Sequence, residues 1–283
     1  MDVISIQSSV AYGHVGNSAA VFPMQRLGFE VWPVNTVHFS NHTGYGEWRG
    51  PVLAAADVGE VLLGVEERGA LGRCDAVLSG YMGDASLGGI IVETAKKVRS
   101  GNPAALYCCD PVMGDVGRGF FVRPGIPEFM RDVAVPQADI ITPNQFELEY
   151  LTRVEIGTLD DGLRAADAAR ELGPGLVLVT SLARMDAPEG TIEMLAVSGE
   201  GAWLVGTPEL ALSVNGAGDA TAALFLAHTL LSESPAEALS KTASTIFAVL
   251  ERTSRAGSRE ILLVASQDDI AGPDERFAVE KVR

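Results

Sequence analysis

The residues with the clearest potential for chemistry lie in a glycine-rich stretch that leads into an apolar run. This stretch is SVNGAGDATAALFLAHTLL, residues 213–231, and it contains Gly216, Ala217, Gly218 and Asp219. Two glycines at the start of a helix let backbone amides approach an anion, and the helix dipole favours negative charge at that end. These amides could stabilise a transferring phosphoryl group while Asp219 accepts the proton of an attacking hydroxyl group.

The same stretch is also typical of an ordinary helix start. In that interpretation Asn215 is the N-cap, the glycines form a turn, and Asp219 interacts favourably with the helix dipole. A glycine–x–glycine–aspartate pattern is short, so these residues alone leave both interpretations open.

Two further acidic residues follow predicted strands. Asp110 ends the apolar run AALYCCD, where a carboxylate is costly unless it faces a cation or solvent. Glu147 lies three residues after Asn144 at a predicted helix start, and Mg²⁺ sites favour a few carboxylates completed by water and phosphate. The spacing of Asn144 and Glu147 also matches a capping box, and spacing alone favours that interpretation.

Short apolar runs alternate with helical patterns along the chain, and this order would bring such residues together. Continuous apolar strands separated by amphipathic helices argue for a parallel sheet covered on both faces, with ligands at the carboxyl ends of the strands. We therefore predict an α/β fold with a doubly wound, mostly parallel sheet, helices on both faces, and a single domain over residues 1–283. The predicted strands are 2–7, 30–36, 75–80, 104–110, 138–144 and 175–181, and the predicted helices are 14–27, 57–70, 85–100, 145–152 and 158–172.

The pattern changes after residue 190. Residues 191–207 predict a hairpin that turns at Ser198–Gly201. Two long helices are predicted next, at 217–231 and 235–255, and REILLVA at 259–265 predicts a late strand.

Composition disfavours several classes of protein. With 21 Lys and Arg against 37 Asp and Glu, the net charge is −16, which disfavours binding to nucleic acid or to an anionic membrane. No apolar run is long enough to span a membrane, and residues 2–7 predict a strand rather than a signal peptide. The odd number of cysteines (Cys74, Cys108 and Cys109) suits reduced core thiols in the cytoplasm rather than a disulfide framework.

The pattern NGAGD resembles the C-terminal signature of the ribokinase-like superfamily of small-molecule kinases. Four further blocks occur in order and resemble the pyridoxal kinase branch, so that the resemblance covers most of the chain from residue 2 to about 270. It implies a doubly wound sheet, usually in a homodimer, and transfer of the γ-phosphate of ATP to the 5′-hydroxymethyl group of pyridoxal. The blocks are residues 5–50 (SIQSS to EWRG), CDAVLSGYMGD, CDPVMGD and ADIITPNQFELEYL.

The resemblance also implies a role for each matching position on the vitamin side. Asp219 would be the catalytic base, and the backbone amides of Gly216, Ala217 and Gly218 would form the anion hole. The substrates would be pyridoxal and related B6 vitamers. They would be bound by Ser8, Thr43, Gly44, Tyr81 and Asp219.

On the nucleotide side, the resemblance implies ATP and Mg²⁺, and it leaves a K⁺ requirement open. Asp110 and Glu147 would organise the metal through waters, which reverses the preference for a pure capping role at Glu147. The phosphates and the nucleotide would be bound by Asp110, Asp115, Thr142, Asn144, Glu147, Thr180, Gly216 and Gly218.

Two alternatives remain. One is another kinase of the superfamily, such as a hydroxymethylpyrimidine kinase or a sugar kinase, although Ser8, Thr43 and Tyr81 argue against a sugar pocket. The other is a protein that stores or transfers pyridoxal phosphate. An enzyme that uses this compound as a prosthetic group needs a Schiff-base lysine, and the four lysines lie outside the loops at the strand ends. The vitamin is therefore better interpreted as a substrate.

Overall fold

The central sheet has nine strands, and the computed structural model describes residues 1–232 and 234–283. The strands, in chain order, are β1 (Asp2–Val10), β2 (Glu30–Phe39), β3 (Ala76–Ser79), β4 (Leu106–Cys109), β5 (Gly114–Asp115), β6 (Gly119–Phe120), β7 (Ile140–Ile141), β8 (Leu176–Leu182), β9 (Thr191–Ser198), β10 (Gly201–Pro208) and β11 (Glu280–Lys281). The sheet has the order β11-β10-β9-β8-β7-β4-β3-β1-β2, and β5 with β6 forms a separate small hairpin. Six neighbouring strands of the sheet, β2, β1, β3, β4, β7 and β8, pair in parallel. The pairs β8–β9, β9–β10 and β10–β11 are antiparallel.

Helices cover both faces of this sheet. They are α1 (Asn17–Arg26), α2 (Ala55–Glu67), α3 (Ser86–Gly101), α4 (Ile126–Phe129), α5 (Gln145–Thr152), α6 (Leu159–Glu171), α7 (Ala217–Leu231), α8 (Pro235–Arg255) and α9 (Gln267–Ala271). One core cluster packs the sheet against α2, α3, α5 and α6, and a second packs it against α1, α7 and α8. The predicted doubly wound α/β fold is therefore confirmed.

The strands carry apolar side chains on both faces because successive side chains enter opposite cores. In β1, Val3 packs towards α1 and α7, whereas Ile4 and Ile6 pack towards α2 and α3. In β4, Cys108 and Cys109 divide between the two cores in the same way, and both thiols are free and buried. Period-two alternation with two apolar environments gives a continuous apolar run, as expected of a parallel sheet between helix layers.

The predicted strands at 104–110 and 138–144 are shorter in the structure. Strand β4 ends just before Asp110 and Pro111, and β7 ends just before Thr142 and Pro143. Proline lacks the N–H group that a central strand must donate, so each ladder stops there. The residues freed from the ladder carry the polar side chains at the sheet's edge.

The predicted late strand at 259–265 is wrong. Among the described residues this segment contributes one bridge, between Asn215 and Glu260, followed by a 3₁₀ turn at Val264–Ser266. Side-chain hydroxyl groups satisfy the backbone of this segment in place of a neighbouring strand. Thr253 accepts the N–H of Leu262, and Ser258 accepts the N–H of Glu260 and donates to its backbone oxygen. Ile261 and Leu263 still bury their side chains in the core, which explains the strand-like sequence pattern.

The remaining sequence predictions fare better. The hairpin at 191–207 is confirmed as β9 and β10, and the helices at 217–231 and 235–255 are confirmed as α7 and α8. The first helix begins at Asn17 rather than 14, because residues before it form a loop across the sheet's carboxyl edge. None of the helices within the described ranges is long and apolar enough to cross a membrane.

Candidate active site

The start of α7 is closely packed at Gly216 and open at Gly218. Gly216 is the N-cap, with φ of 86°, and a Cβ atom at this position would lie 1.7 Å from the backbone oxygen of His14. Gly218 is exposed, and a Cβ built there would meet no atom within 4 Å. Asn215 is not the N-cap, and glycine offers no capping side chain, so the N–H groups of Ala217 and Gly218 are available to an anion.

Asp219 lies in the first turn of α7, half-buried, next to those amides. Burial raises the pKa of Asp219 above its ordinary value, and hydrogen bonds from the backbone amides of Gly16 and of Asp219 itself oppose this shift. A carboxylate whose basicity is raised in this way is a better acceptor for a hydroxyl proton. The loop before α1 therefore orients the carboxylate that the sequence singles out.

Asp110 follows β4 and is almost completely buried. Burial raises its pKa well above the ordinary value, and the negative charges of Glu147 and then Asp219 add to this effect. The hydroxyl group of Thr142 donates to Asp110 Oδ1 over 3.0 Å and opposes it. The fold therefore brings three acidic side chains from β4, α5 and α7 close enough for their charges to interact.

These carboxylates form a suitable environment for a hard cation. Oxygen donors and uncompensated negative charge suit Mg²⁺, which keeps several waters and binds through one or two carboxylates together with substrate phosphates. Within residues 1–232 and 234–283 there is no cluster of three or more His, Cys, Asp or Glu side chains that could hold a metal by itself. A metal bound here would complete its coordination with water and phosphate.

Glu147 is buried and anchors backbone with both of its oxygens. Its Oε1 accepts the N–H groups of Met113 at 2.8 Å and Gly114 at 3.4 Å, and its Oε2 accepts that of Asn144 at 3.0 Å. The side chain of Asn144 accepts the N–H of Glu147 in return, so the capping box predicted from the spacing is confirmed. Burial raises the pKa of Glu147 to about 7, and the three amides oppose the shift.

The other residues predicted for the nucleotide side surround this anchor. Asn144 donates from Nδ2 to the backbone oxygen of Gly114 over 2.8 Å, which fixes the loop that leads to Asp115. Asp115 is half-buried in β5, at the base of the small hairpin. Thr180 in β8 is held against this region by a hydrogen bond from its N–H to the oxygen of Pro143.

On the vitamin side, Ser8 lies buried beneath the loop that precedes α1. A Cβ on Gly16 would lie 2.2 Å from the backbone oxygen and from the Oγ of Ser8, so these backbones are in close contact. Thr43 and Gly44 form an exposed 3₁₀ turn, and a Cβ on Gly44 would lie 3.7 Å from Asn215 Nδ2. This turn therefore lies beside the entrance to α7.

Tyr81 follows β3 and packs against a small apolar cluster that includes Val37 and Val52. Its backbone oxygen accepts the hydroxyl group of Thr36 over 2.8 Å. Burial raises the pKa of the Tyr81 phenol, while the nearby Arg123 guanidinium opposes the shift. The phenol can line a pocket for a flat ring.

The sequence did not single out three residues near this site for a role in it. His42 accepts the N–H of Gly44 at Nδ1, and burial followed by the charge of Arg118 lowers its pKa while Glu260 opposes this. Tyr45 and Glu260 are joined by a hydrogen bond of 2.5 Å across 215 residues of sequence. Contacts over such a separation leave no periodic signal, and the sequence predicted residues 259–265 only as a strand, although the acidic Glu260 within that apolar run is a signal that could have been used.

Comparison with known proteins gives consistent similarities. A family model described as phosphomethylpyrimidine kinase matches residues 72–263. A protein named pyridoxal kinase PdxY, from Rubrobacter xylanophilus, is 69% identical over 283 residues, which cover 100% of this chain and 98% of that protein.

Solved structures agree with this sequence similarity. Pyridoxal kinase from Leishmania donovani in complex with ADP and ginkgotoxin superposes with a TM-score of 0.93 at 29% identity, covering 100% of this chain and 99% of that one. The same enzyme in complex with ADP and pyridoxamine superposes with a TM-score of 0.91 over the same shares.

Proposed function

This chain belongs to the pyridoxal kinase family, and we propose that Asp219 is the base with which it phosphorylates the 5′-hydroxymethyl group of pyridoxal. The protein is a kinase, and ATP is its phosphate donor. The support is that similar solved structures contain ADP, the product that remains when ATP donates its γ-phosphate. The observation that carries the role of Asp219 is its position. It is a half-buried carboxylate in the first turn of a helix whose leading amides have no capping side chain.

In this proposal the chemistry at α7 is a single displacement. The 5′-oxygen of the vitamin attacks the γ-phosphorus of ATP, the bond from that phosphorus to the bridging oxygen breaks, and ADP leaves. The hydroxyl proton passes to the Asp219 carboxylate. The amides of Gly216, Ala217 and Gly218 stabilise charge on the transferring group, and one such donor typically contributes 10²- to 10³-fold to kcat.

The vitamin occupies the side of the site formed by β1, β2 and β3. Ser8 presents a hydroxyl group to the pyridine ring, the turn of Thr43 and Gly44 closes over it, and Tyr81 lines the pocket. The support is that Ser8 contacts Gly16, whose N–H reaches Asp219, and that a Cβ on Gly44 would lie 3.7 Å from Asn215 Nδ2. Both vitamin-side elements therefore lie near the start of α7.

ATP occupies the side formed by β4, β7 and β8. Asp115, Thr142, Asn144 and Thr180 lie along the phosphates and the nucleotide, with Gly216 and Gly218 at the γ-phosphate. Asp110 and Glu147 would hold Mg²⁺, and Glu147 also anchors the backbone N–H groups of Met113 and Asn144. The metal, when bound, offsets the phosphate charge. A K⁺ requirement stays open.

We further propose a single domain over residues 1–283 that works as a cytoplasmic homodimer. The 69% identical relative matches over 98% of its own length, which supports one domain, and the three thiols are free and buried, which suits a reducing compartment. With a net charge of −16, nucleic acid is an unsuitable partner.

A coupled assay with ATP, Mg²⁺ and each B6 vitamer tests the proposal through ADP release. Hydroxymethylpyrimidine is included because the matching family model carries the phosphomethylpyrimidine kinase description. If the pyrimidine is phosphorylated and pyridoxal is inert, the substrate assignment is wrong.

Asp219→Asn should lower kcat by about 10²- to 10⁴-fold while pyridoxal still binds. Unchanged turnover in this variant would refute the role of Asp219, and negligible turnover in the parent would favour a storage or transfer protein.

A further inference from the structure

We infer that Glu260 is a positioning residue that holds the vitamin-side loops against the start of α7. The inference rests on the proposed function, because it concerns how that same site is assembled. Glu260 itself is not among the residues assigned to the substrates.

The carboxylate of Glu260 joins two loops that are far apart in sequence. Its Oε1 accepts the hydroxyl group of Tyr45 over 2.5 Å, and its Oε2 accepts the backbone N–H of His14 over 3.0 Å. Hydrogen bonds to a charged acceptor are stronger than neutral ones. The bond to Glu260 is the main reason that the pKa of Tyr45 rises to about 12.

The backbone of Glu260 is fixed relative to the entrance of α7. It pairs with Asn215 in a parallel bridge, and Asn215 immediately precedes Gly216. The hydroxyl group of Ser258 accepts the N–H of Glu260 at 3.1 Å and donates to its oxygen at 2.7 Å. The carboxylate is thus built on the same piece of backbone that positions the proposed anion hole.

Two glycines seat the loop before α1 between Glu260 and α7. A Cβ on Gly13 would lie 2.2 Å from Glu260 Oε2, and a Cβ on Gly216 would lie 1.7 Å from His14 O. Both glycines have positive φ, 93° and 86°, so other residues are strained there as well as obstructed. The loop then continues to Gly16, whose N–H reaches Asp219.

The second loop is the turn that carries Thr43 and Gly44. Tyr45 ends this turn, and the Arg259 guanidinium lies 4.5 Å from the centre of its ring, so that two consecutive residues of one segment hold it. The nucleotide side has its own anchors at Glu147 and Asn144. Loss of Glu260 should therefore loosen the vitamin side and leave the nucleotide side in place.

Steady-state kinetics of Glu260→Ala, Glu260→Gln and Tyr45→Phe test this inference. Glu260→Ala should raise KM for pyridoxal about tenfold, as expected for the loss of hydrogen bonds to a charged group, with KM for ATP within about twofold of the parent. Tyr45→Phe should raise KM for pyridoxal about threefold. The double variant Glu260→Ala/Tyr45→Phe should have the same KM for pyridoxal as Glu260→Ala alone, because both changes remove the same hydrogen bond.

Glu260→Gln should restore most of the affinity. Its amide oxygen can accept the N–H of His14, and its NH₂ group can donate to the Tyr45 oxygen, so the geometry survives without the charge. Glu251→Ala is the matched control, since Glu251 is also half-buried and bonds two groups, on Arg255 and Arg276, away from these loops. It should leave both KM values unchanged.

Hydrogen exchange gives a readout that does not depend on turnover. Glu260→Ala should increase exchange at residues 13–16 and 42–46 while residues 113–115 stay as protected as in the parent. Equal rises in both KM values, additive single and double variants, or exchange changes confined to 258–262 would overturn the inference. If Glu260→Ala does not fold, Tyr45→Phe decides through the same two measurements. Failure of the parent to phosphorylate pyridoxal would instead reject the proposed function, and the exchange result would still decide this inference.

Discussion

Replacing Gly218 with alanine separates an anion hole from an ordinary helix start. Gly218 lies in the first turn of α7, it is exposed, and its new Cβ would meet no atom within 4 Å. Alanine in a helix is favoured over glycine by about 0.5–1 kcal/mol, which should raise Tm by roughly 1–3 °C in a chain of this size.

The same methyl group should nevertheless damage catalysis. If the leading amides of α7 hold the transferring phosphoryl group, the methyl group occupies part of the space that this group needs. We expect kcat to fall on the order of 10²-fold, the loss that typically follows removal of one oxyanion donor. Gly218→Ala should therefore be more stable and less active.

Thermal unfolding and the coupled kinase assay measure the two effects on the same preparation. Gly89→Ala is the matched control, because Gly89 is an exposed glycine of α3 whose added Cβ would also meet no atom within 4 Å. It should gain similar stability at full activity. If Gly218→Ala behaves like Gly89→Ala, the amides of 216–218 do not act on the phosphoryl group, and the reasoning is refuted.

The remaining predictions concern stability. Asn144→Ala removes both the cap of α5 and the bond to Gly114, so the free energy of unfolding, measured by urea titration, should fall by about 1–3 kcal/mol and kinase activity should be lost. Thr158→Ala removes the cap of α6 and should cost about 1 kcal/mol with activity retained. Equal kinase activities of the two variants would contradict this. His228 is buried, and burial lowers its pKa from 6.5 to about 4. Between pH 4 and pH 6.5 the imidazole is therefore protonated in the unfolded chain but neutral in the folded one. Its contribution, at most about 3 kcal/mol, should be complete above pH 6.5 and lost as pH falls towards 4, and His228→Leu should flatten that part of the stability profile; an unaltered profile would contradict the prediction.

The fold was predictable because its signal is local. Runs such as those of β1 and β8 are apolar on both faces, and the segments between them have helical periodicity, so the parallel sheet follows from pattern alone. The failure at 259–265 has the same origin. Ile261 and Leu263 supply a strand-like pattern, but hydroxyl groups from Thr253 and Ser258 take the backbone bonds that a neighbouring strand would need.

The site was predictable only in part. Residues that follow strands, such as Asp110 and Thr142, are placed together by topology, and their hydrogen bond follows from two adjacent strand ends. The capping role of Glu147 could be established only from the three-dimensional structure, since the spacing of Asn144 and Glu147 alone cannot distinguish a helix cap from a metal site. The link from Tyr45 to Glu260 depends on the packing of the whole molecule, so no short motif contains it. The roles assigned to individual residues in binding and catalysis stay predictions.

The segment order of the vitamin pocket has a consequence for biosynthesis. Three of the residues proposed to contact the ring, Ser8, Thr43 and Tyr81, come from the first hundred positions, whereas the carboxylate that joins the neighbouring loops is residue 260. A ribosome makes the chain from the amino end, and domains complete their folding only when the required segments have emerged. We expect the two loops of the nascent polypeptide to stay loosely held until residues 258–260 have also emerged from the ribosome.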